Sequence, residues 1–346
     1  MSQLVRVLVV DDSAFARKVI REMLSRSPYI EVVGTARDGA EGLELVEQLK
    51  PDVVTCDLMM PRMDGAAFVR EQMRRSPVPI LIVSIAEQDA EHALAALEAG
   101  AVDFVRKPTA LASNDLLRIR EELIEKVKAA ADAPLARLLP EPQPRIQLPG
   151  PVGSSPARIS AVVIGISTGG PQALRALLPQ FPADFPVPIA MVLHMPVGFT
   201  ALYAAKLNDA SMLTVREAQE GDEMRPGVAL LAQAGKHLVL RRNPEGNVSA
   251  HLTRQPVESL HRPSVDVLFQ SAAQVYGDRT LGVVMTGMGS DGKEGAAWIK
   301  AQGGMVLTEA EQSCVIYGMP RSVVEAGLSD AAVPLNRLAQ TIIDKL

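Results

Sequence analysis

Val162–Pro171 reads VVIGISTGGP, and this stretch decides the fold of the C-terminal half. A run of apolar, mostly β-branched residues from Ile159 to Ile164 breaks into Gly165, Ser167, Gly169 and Gly170. PQALRALL follows at once. The pattern predicts a strand, a tight turn and a helix start. Such a turn holds the Ser167 hydroxyl out of the sheet edge, beside backbone N–H groups that stabilise an anion.

Outward from this unit, strand and helix patterns alternate. AVVIGI, PIAMVLH, TLGVVMTGMG and GGMVLTE are the strand candidates. The stretch VALLAQAGKHLVLRRNPEGNVSAHLT alternates instead and turns at Pro244–Asn247, which predicts an antiparallel hairpin. The N-terminal third has the same rhythm with other motifs. VRVLVV, EVVGTA, DVVTC, PILIVS and DFVRK are separated by amphipathic stretches such as FARKVIREMLSR and GAEGLELVEQLK. Near-continuous apolar strands predict a parallel sheet covered by helices on both faces. Between the halves, Pro134, Pro140, Pro142, Pro144, Pro149, Pro151 and Pro156 punctuate a patternless stretch. The expected division is therefore a domain over 1–125, a semi-rigid linker over 126–157 and a second α/β domain over 158–346.

Of 346 residues, 47% are hydrophobic and 3% aromatic, so the cores must be aliphatic. A net charge of −5 gives no global attraction to nucleic acid or an anionic membrane. The two cysteines, Cys56 and Cys314, cannot build a disulfide framework or a cysteine zinc site. The start has no signal-peptide character, and no apolar run reaches about 18 residues. A reducing cytoplasm and no membrane insertion are the expectations.

Two sets of polar residues stand at predicted strand ends. Asp11 and Asp12 follow VLVV, Asp57 follows VVTC, Ser84 ends the fourth strand pattern and Lys107 the fifth. Carboxyl ends of parallel strands line one crevice. Three carboxylates there need a cation, and hard oxygen ligands suit Mg²⁺. An ammonium and a hydroxyl facing them form a site for phosphoryl transfer to Asp57. Cys56 alternates to the other side of the strand and reads as an apolar filler.

In the second half, a nucleophilic serine needs a base, and the base an orienting acid. His194 ends the strand after the Ser167 unit and should face the same crevice; His237 and His261 are weaker candidates. Asp291, in VVMTGMGSDG, is the candidate acid, and the amide of Met288 or Gly289 could bind an oxyanion. Gly165–Gly169 fits G-x-S-x-G, but the chain order Ser, His, Asp differs from the Ser, acid, His order of α/β-hydrolases.

The joint pattern VVDDS, CDLMMPRMDG, VS and RKP resembles the receiver domains of bacterial two-component response regulators, over about residues 3–122. GISTGGP, HMPVGFT, HRPSVDVLF, TGMGSDG and SCVIYGMP resemble the catalytic domain of CheB-type chemotaxis protein-glutamate methylesterases, from about 160 to the C-terminus. Leu193, AQAGKH and Lys293 depart from the usual family pattern without removing a catalytic group. The resemblance implies a flavodoxin-like receiver whose Asp57 accepts phosphate from a histidine kinase. Asp11, Asp12 and Asp57 would hold Mg²⁺, Lys107 would contact the phosphoryl group, and Ser84 with Phe104 would form the switch pair. It further implies Ser167 as nucleophile, His194 as base, Asp291 as orienting acid, the Met288 amide in the oxyanion hole and Thr168 beside the nucleophile. The implied reaction is cofactor-free hydrolysis of glutamyl methyl esters on a chemoreceptor's cytoplasmic helices, with deamidation of particular glutamines, giving sensory adaptation. The alternative is a non-catalytic or differently targeted regulator of a chemotaxis-like array.

Overall fold

The computed structural model describes residues 4–84, 90–107, 113–134 and 159–346, with the side chains of 113–115 excepted. Two compact units divide between residues 139 and 140, inside the proline-rich segment. Most of the expected linker, from 135 on, lies outside the described residues.

The first unit alternates β1 (Val5–Val10), α1 (Ala14–Leu24), β2 (Ile30–Ala36), α2 (Gly39–Leu49), β3 (Val53–Cys56), α3 (Gly65–Arg75), β4 (Ile80–Ser84), α4 (Ala90–Glu98), β5 (Asp103–Arg106) and α5 (Ser113–Ala131). The described strands form a parallel sheet in the order β2-β1-β3-β4-β5, as the rhythm predicts. Val7–Val10 and Ile80–Val83 are buried because helices cover both faces. Ser13, Asp38 and Asp64 cap α1, α2 and α3 by accepting a backbone N–H in the first turn. One expectation needs correcting. Helix α5 runs to Ala131, so residues 126–131 are helix rather than linker. Val127 and Ala130 are fully buried, and Lys126 Nζ binds Asp103, Glu122 and the Phe104 carbonyl. These contacts hold the last turns of the helix on the sheet.

The second unit runs β6 (Ala161–Ile166), α6 (Gly170–Leu177), β7 (Ile189–Leu193), α7 (Thr200–Ala210), β8 (Thr214–Glu217), β9 (Val228–Leu231), β10 (His237–Arg242), β11 (Val248–Thr253), α8 (Val265–Tyr276), β12 (Thr280–Val284), α9 (Lys293–Ala301), β13 (Met305–Glu309), α10 (Met319–Glu325), β14 (Ala331–Val333) and α11 (Leu335–Ile343). The described strands make a parallel sheet of order β14-β13-β12-β6-β7-β9-β8 and a separate antiparallel pair, β10-β11. The hairpin is narrower than its alternating pattern predicts. VALL is β9, a fully buried parallel strand between β7 and β8. Its unbroken apolar run is what burial on both faces requires.

Helix α8 packs Leu268, Phe269 and Ala272 into the core, each buried Leu or Phe contributing about 1.5–3 kcal/mol. Its first turn sits against the end of β6. A Cβ at Gly165 would lie 2.2 Å from Val265 Cγ1, so only glycine admits the helix this close. Among the described residues no helix is long and apolar enough to cross a membrane.

Candidate active site and phosphoacceptor pocket

Register brings the serine and histidine together. Ile166 of β6 pairs with Leu193 of β7, so the next residues, Ser167 and His194, emerge side by side. The His194 N–H donates to the Ile166 carbonyl at 3.2 Å, and the Ser167 N–H donates to the Thr286 carbonyl at 3.0 Å. Ser167 Oγ lies 3.2 Å from His194 Nδ1, and His194 Nε2 lies 2.8 Å from Asp291 Oδ2. The three predicted residues therefore form one continuous relay. Among the other histidines, His261 stacks on His194 with ring centroids 4.1 Å apart, and His237 is fully buried behind the site.

Asp291 is held more tightly than a turn residue needs to be. Oδ1 accepts from the Ser264 hydroxyl and the Asp266 N–H, both at 2.9 Å. Oδ2 accepts from the Val265 N–H at 2.8 Å, besides facing His194. The first amides of α8 thus converge on the carboxylate, where the helix dipole favours negative charge. Asp266 returns the interaction to α9, its Oδ1 accepting from the Gly292 N–H at 2.8 Å and the Gly295 N–H at 2.7 Å. Each acid caps the other's helix. Burial raises the Asp291 carboxyl, but the His194 hydrogen bond and charge and the α8 amides outweigh it and hold it well below the carboxylate range. Asp266 moves the other way, raised by burial and by the Asp291 charge beside it.

An ionised, acceptor-only Asp291 dictates the tautomer of His194. The ring proton sits on Nε2, and Nδ1 keeps a lone pair facing the serine. The loop Thr286–Gly289 closes the other side. A Cβ at Gly287 would lie 2.8 Å from Ser167 Cβ and 2.4 Å from Met319 Sδ, so this glycine lets the loop lie directly against Ser167. Met288 follows it. Buried Thr168 offers its carbonyl to the Thr286 hydroxyl at 2.9 Å, and the Thr286 N–H donates to buried Glu309 at 2.9 Å. Ser264, Asp266, Thr286 and Glu309 escaped sequence reading. Ser264 carried a signal, a serine directly before an apolar helix, but that signal predicts a helix cap, whereas its hydroxyl goes to Asp291.

The first unit uses the same sheet device. Val10 of β1 pairs with Cys56 of β3, so Asp11 and Asp57 emerge together, and the Asp57 N–H donates to the Val10 carbonyl at 2.9 Å. Ligand atoms of Asp11, Asp12 and Asp57 lie within 4.8 Å of one another, an all-oxygen set that suits Mg²⁺. Lys107 Nζ reaches Asp57 at 2.8 Å and Asp11 at 2.9 Å. Burial, with Asp11 alongside, raises the Asp57 carboxyl despite the lowering pull of Lys107. Burial lowers the Lys107 ammonium, but the two carboxylates outweigh it and raise it overall. Ser84 and Phe104 are both buried, on adjacent strands β4 and β5. Cys56 is fully buried, as its place on the strand predicts.

Comparison with known proteins agrees with both halves. Residues 162–342 match the CheB methylesterase family, and residues 7–118 match the response regulator receiver domain. A protein-glutamate methylesterase/protein-glutamine glutaminase of Myxococcus xanthus is 51% identical, over 96% of this chain and 95% of its own length. One from Halalkalibacterium halodurans is 44% identical over 99% of both chains. The crystal structure of the Thermotoga maritima CheB methylesterase catalytic domain superposes with a TM-score of 0.53 at 40% identity, covering 54% of this chain and 99% of that one. The chain therefore belongs to the CheB methylesterase family of hydrolases, with a response regulator receiver domain in front of the catalytic domain.

Proposed function

We propose that the chain hydrolyses glutamyl methyl esters on the cytoplasmic helices of chemoreceptors, under the control of phosphorylation at Asp57. The observation that carries this reading is the relay from Asp291 through His194 to Ser167. Ser167 Oγ attacks the ester carbonyl while His194 Nδ1 takes the hydroxyl proton. The Met288 amide, in the loop lying against the serine, donates to the oxyanion, with Thr168 beside the nucleophile. As the tetrahedral adduct collapses, His194 returns the proton to the departing methoxide, releasing methanol. Water then gives its proton to the same nitrogen and attacks the acyl-serine, leaving glutamate and free Ser167. Asp291 stays ionised and stabilises the imidazolium at each step. A glutamine carboxamide passes through the same sequence with ammonia as leaving group, which supports glutaminase activity as well.

In the receiver, a histidine kinase supplies the phosphoryl group to Asp57. Asp11, Asp12 and Asp57 would hold Mg²⁺, and the ion, when bound, would supply positive charge to offset that of the phosphoryl group. Lys107 holds the carboxylate and pairs with the added charge, and Ser84 with Phe104 passes the change outward. Ester hydrolysis needs no cofactor. A histidine kinase donor and a receptor's cytoplasmic helices as substrate support a cytoplasmic location, and the net charge of −5 gives no global attraction to nucleic acid. The intact relay disfavours a non-catalytic regulator. Methanol release from methylated receptor membranes tests the reading: wild type releases it, and a protein that leaves the esters intact with or without phosphodonor would overturn it.

A further inference from the structure

We infer that His237 is a positioning residue of the hydrolytic site: its imidazole fixes Ser264, and through Ser264 it fixes the carboxylate that orients His194. This rests on the hydrolase reading given above. His237 opens β10 and is fully buried. The Ser264 N–H donates to its Nδ1 at 3.2 Å, so that nitrogen carries a lone pair. Its proton is therefore on Nε2, which donates to the Pro256 carbonyl at 3.2 Å. A neutral imidazole thus bridges β10, the loop after β11 and the residue preceding α8. Burial, with the Arg262 guanidinium nearby, lowers its basicity, while the Pro256 carbonyl and Asp291 act the other way.

What this bridge holds is the grip on Asp291. Ser264 uses its N–H on His237 and its hydroxyl on Asp291 Oδ1, and the next two amides complete that carboxylate. A residue before a helix normally spends its hydroxyl on its own first turn, and Ser264 does not. An acceptor fixed behind its amide holds Ser264 with the hydroxyl aimed at Asp291. Groups that orient metal ligands from behind change affinity or activity about 10–100-fold when removed, and a loss of that order is expected for a group orienting Asp291 in the same way.

The two isosteres of histidine separate this role from packing. His237→Asn keeps an oxygen near the Nδ1 position and so an acceptor for Ser264. His237→Gln reaches toward Pro256 and abandons Ser264. Methanol release from methylated receptor is measured against pH for both, with thermal midpoints recorded alongside. His237→Gln should lower kcat about tenfold with KM unchanged. The acid limb of its kcat/KM profile should move to lower pH, because the His194 imidazolium loses its anchored partner. His237→Asn should stay within about threefold of wild type with the acid limb unmoved. Ser264→Ala is the second probe. Adding His237→Gln to it should cost far less than the product of the separate effects, since both act on one carboxylate. Equal losses in Asn and Gln with an unmoved acid limb, or multiplicative losses in the double variant, would overturn the inference. A wild type that releases no methanol would instead sink the functional reading itself.

Discussion

The two halves build their sites by one device and fill them with opposite electrostatics. In each, register partners on adjacent parallel strands end together, and the two residues that follow are delivered side by side. Val10 and Cys56 deliver Asp11 and Asp57; Ile166 and Leu193 deliver Ser167 and His194. In each, the second residue's N–H donates to the carbonyl that ends the other strand. The receiver gathers three carboxylates, pairs two of them with one lysine, and leaves negative charge that suits a cation. The hydrolytic unit has one ionised carboxylate at its centre and neutralises it internally, with three protein donors besides His194. On the proposed reading, the first site accepts charge and the second holds charge fixed while a proton moves.

The largest effect that could break this contrast is at Ser167. Ser167→Ala should lower methanol release by about 10³-fold or more with the fold retained, since it removes one hydroxyl at a half-buried turn. Near-normal turnover would remove the serine from the chemistry.

Asp291→Asn sharpens the comparison by taking away the internal charge. It should cost less than Ser167→Ala, by a factor of roughly 10–100, with the acid limb of the pH profile displaced downward. His194→Ala should be inactive while His261→Ala retains the relay. Activity in the former and none in the latter would move the base to His261.

Asp57→Asn probes the other site. Small phosphodonors should raise methanol release from wild type, about tenfold for a shift of about 1.4 kcal/mol between states, and leave Asp57→Asn at its basal rate. Equal activation of both would place the phosphoacceptor elsewhere.

The smallest effects concern stability. Mg²⁺ at about 100 times its Kd should stabilise the receiver by about 2.7 kcal/mol and leave the transition of the catalytic unit unmoved. Asp12→Asn should weaken that response. The catalytic unit should respond to acid instead. The Asp291 carboxyl is depressed in the fold, so its contribution is present above the unfolded value of about 3.9 and is lost as pH falls below it. The raised Asp266 carboxyl beside it works the other way, gaining stability as pH falls through about 7. Calorimetric melts from pH 6 down to about 3 are therefore run on Asp266→Asn and on the Asp266→Asn/Asp291→Asn double variant, and an equal fall in both would contradict the claim.

Much of this was legible in the sequence because strand ends are local. An apolar run followed by Asp11, Asp57, Ser167 or His194 announces both the strand and the residue it delivers. Asp291 was legible too, as the acid of a glycine-rich turn after a strand. What supports it was not. Ser264 and Asp266 sit at the start of α8, and their partners lie about 25 residues away at the start of α9. The exchange of caps between two helices leaves no periodic signature, and each residue alone reads as an ordinary cap. His237 looked like a turn residue entering a strand, because a buried imidazole and an exposed one have the same letter. The extent of β9 was misread for a related reason. VALL runs directly into a hairpin pattern, and only the pairing with β7 and β8 separates them.

The most direct test of the central claim is to trap the covalent intermediate. Full-length protein with phosphodonor is mixed with methylated receptor, quenched in acid within milliseconds and digested for mass spectrometry. The predicted result is a receptor glutamyl peptide joined as an ester to the peptide containing Ser167, absent from Ser167→Ala, with one methanol released per ester formed. An ester on another residue, or methanol release from Ser167→Ala at the wild-type rate, would contradict the account.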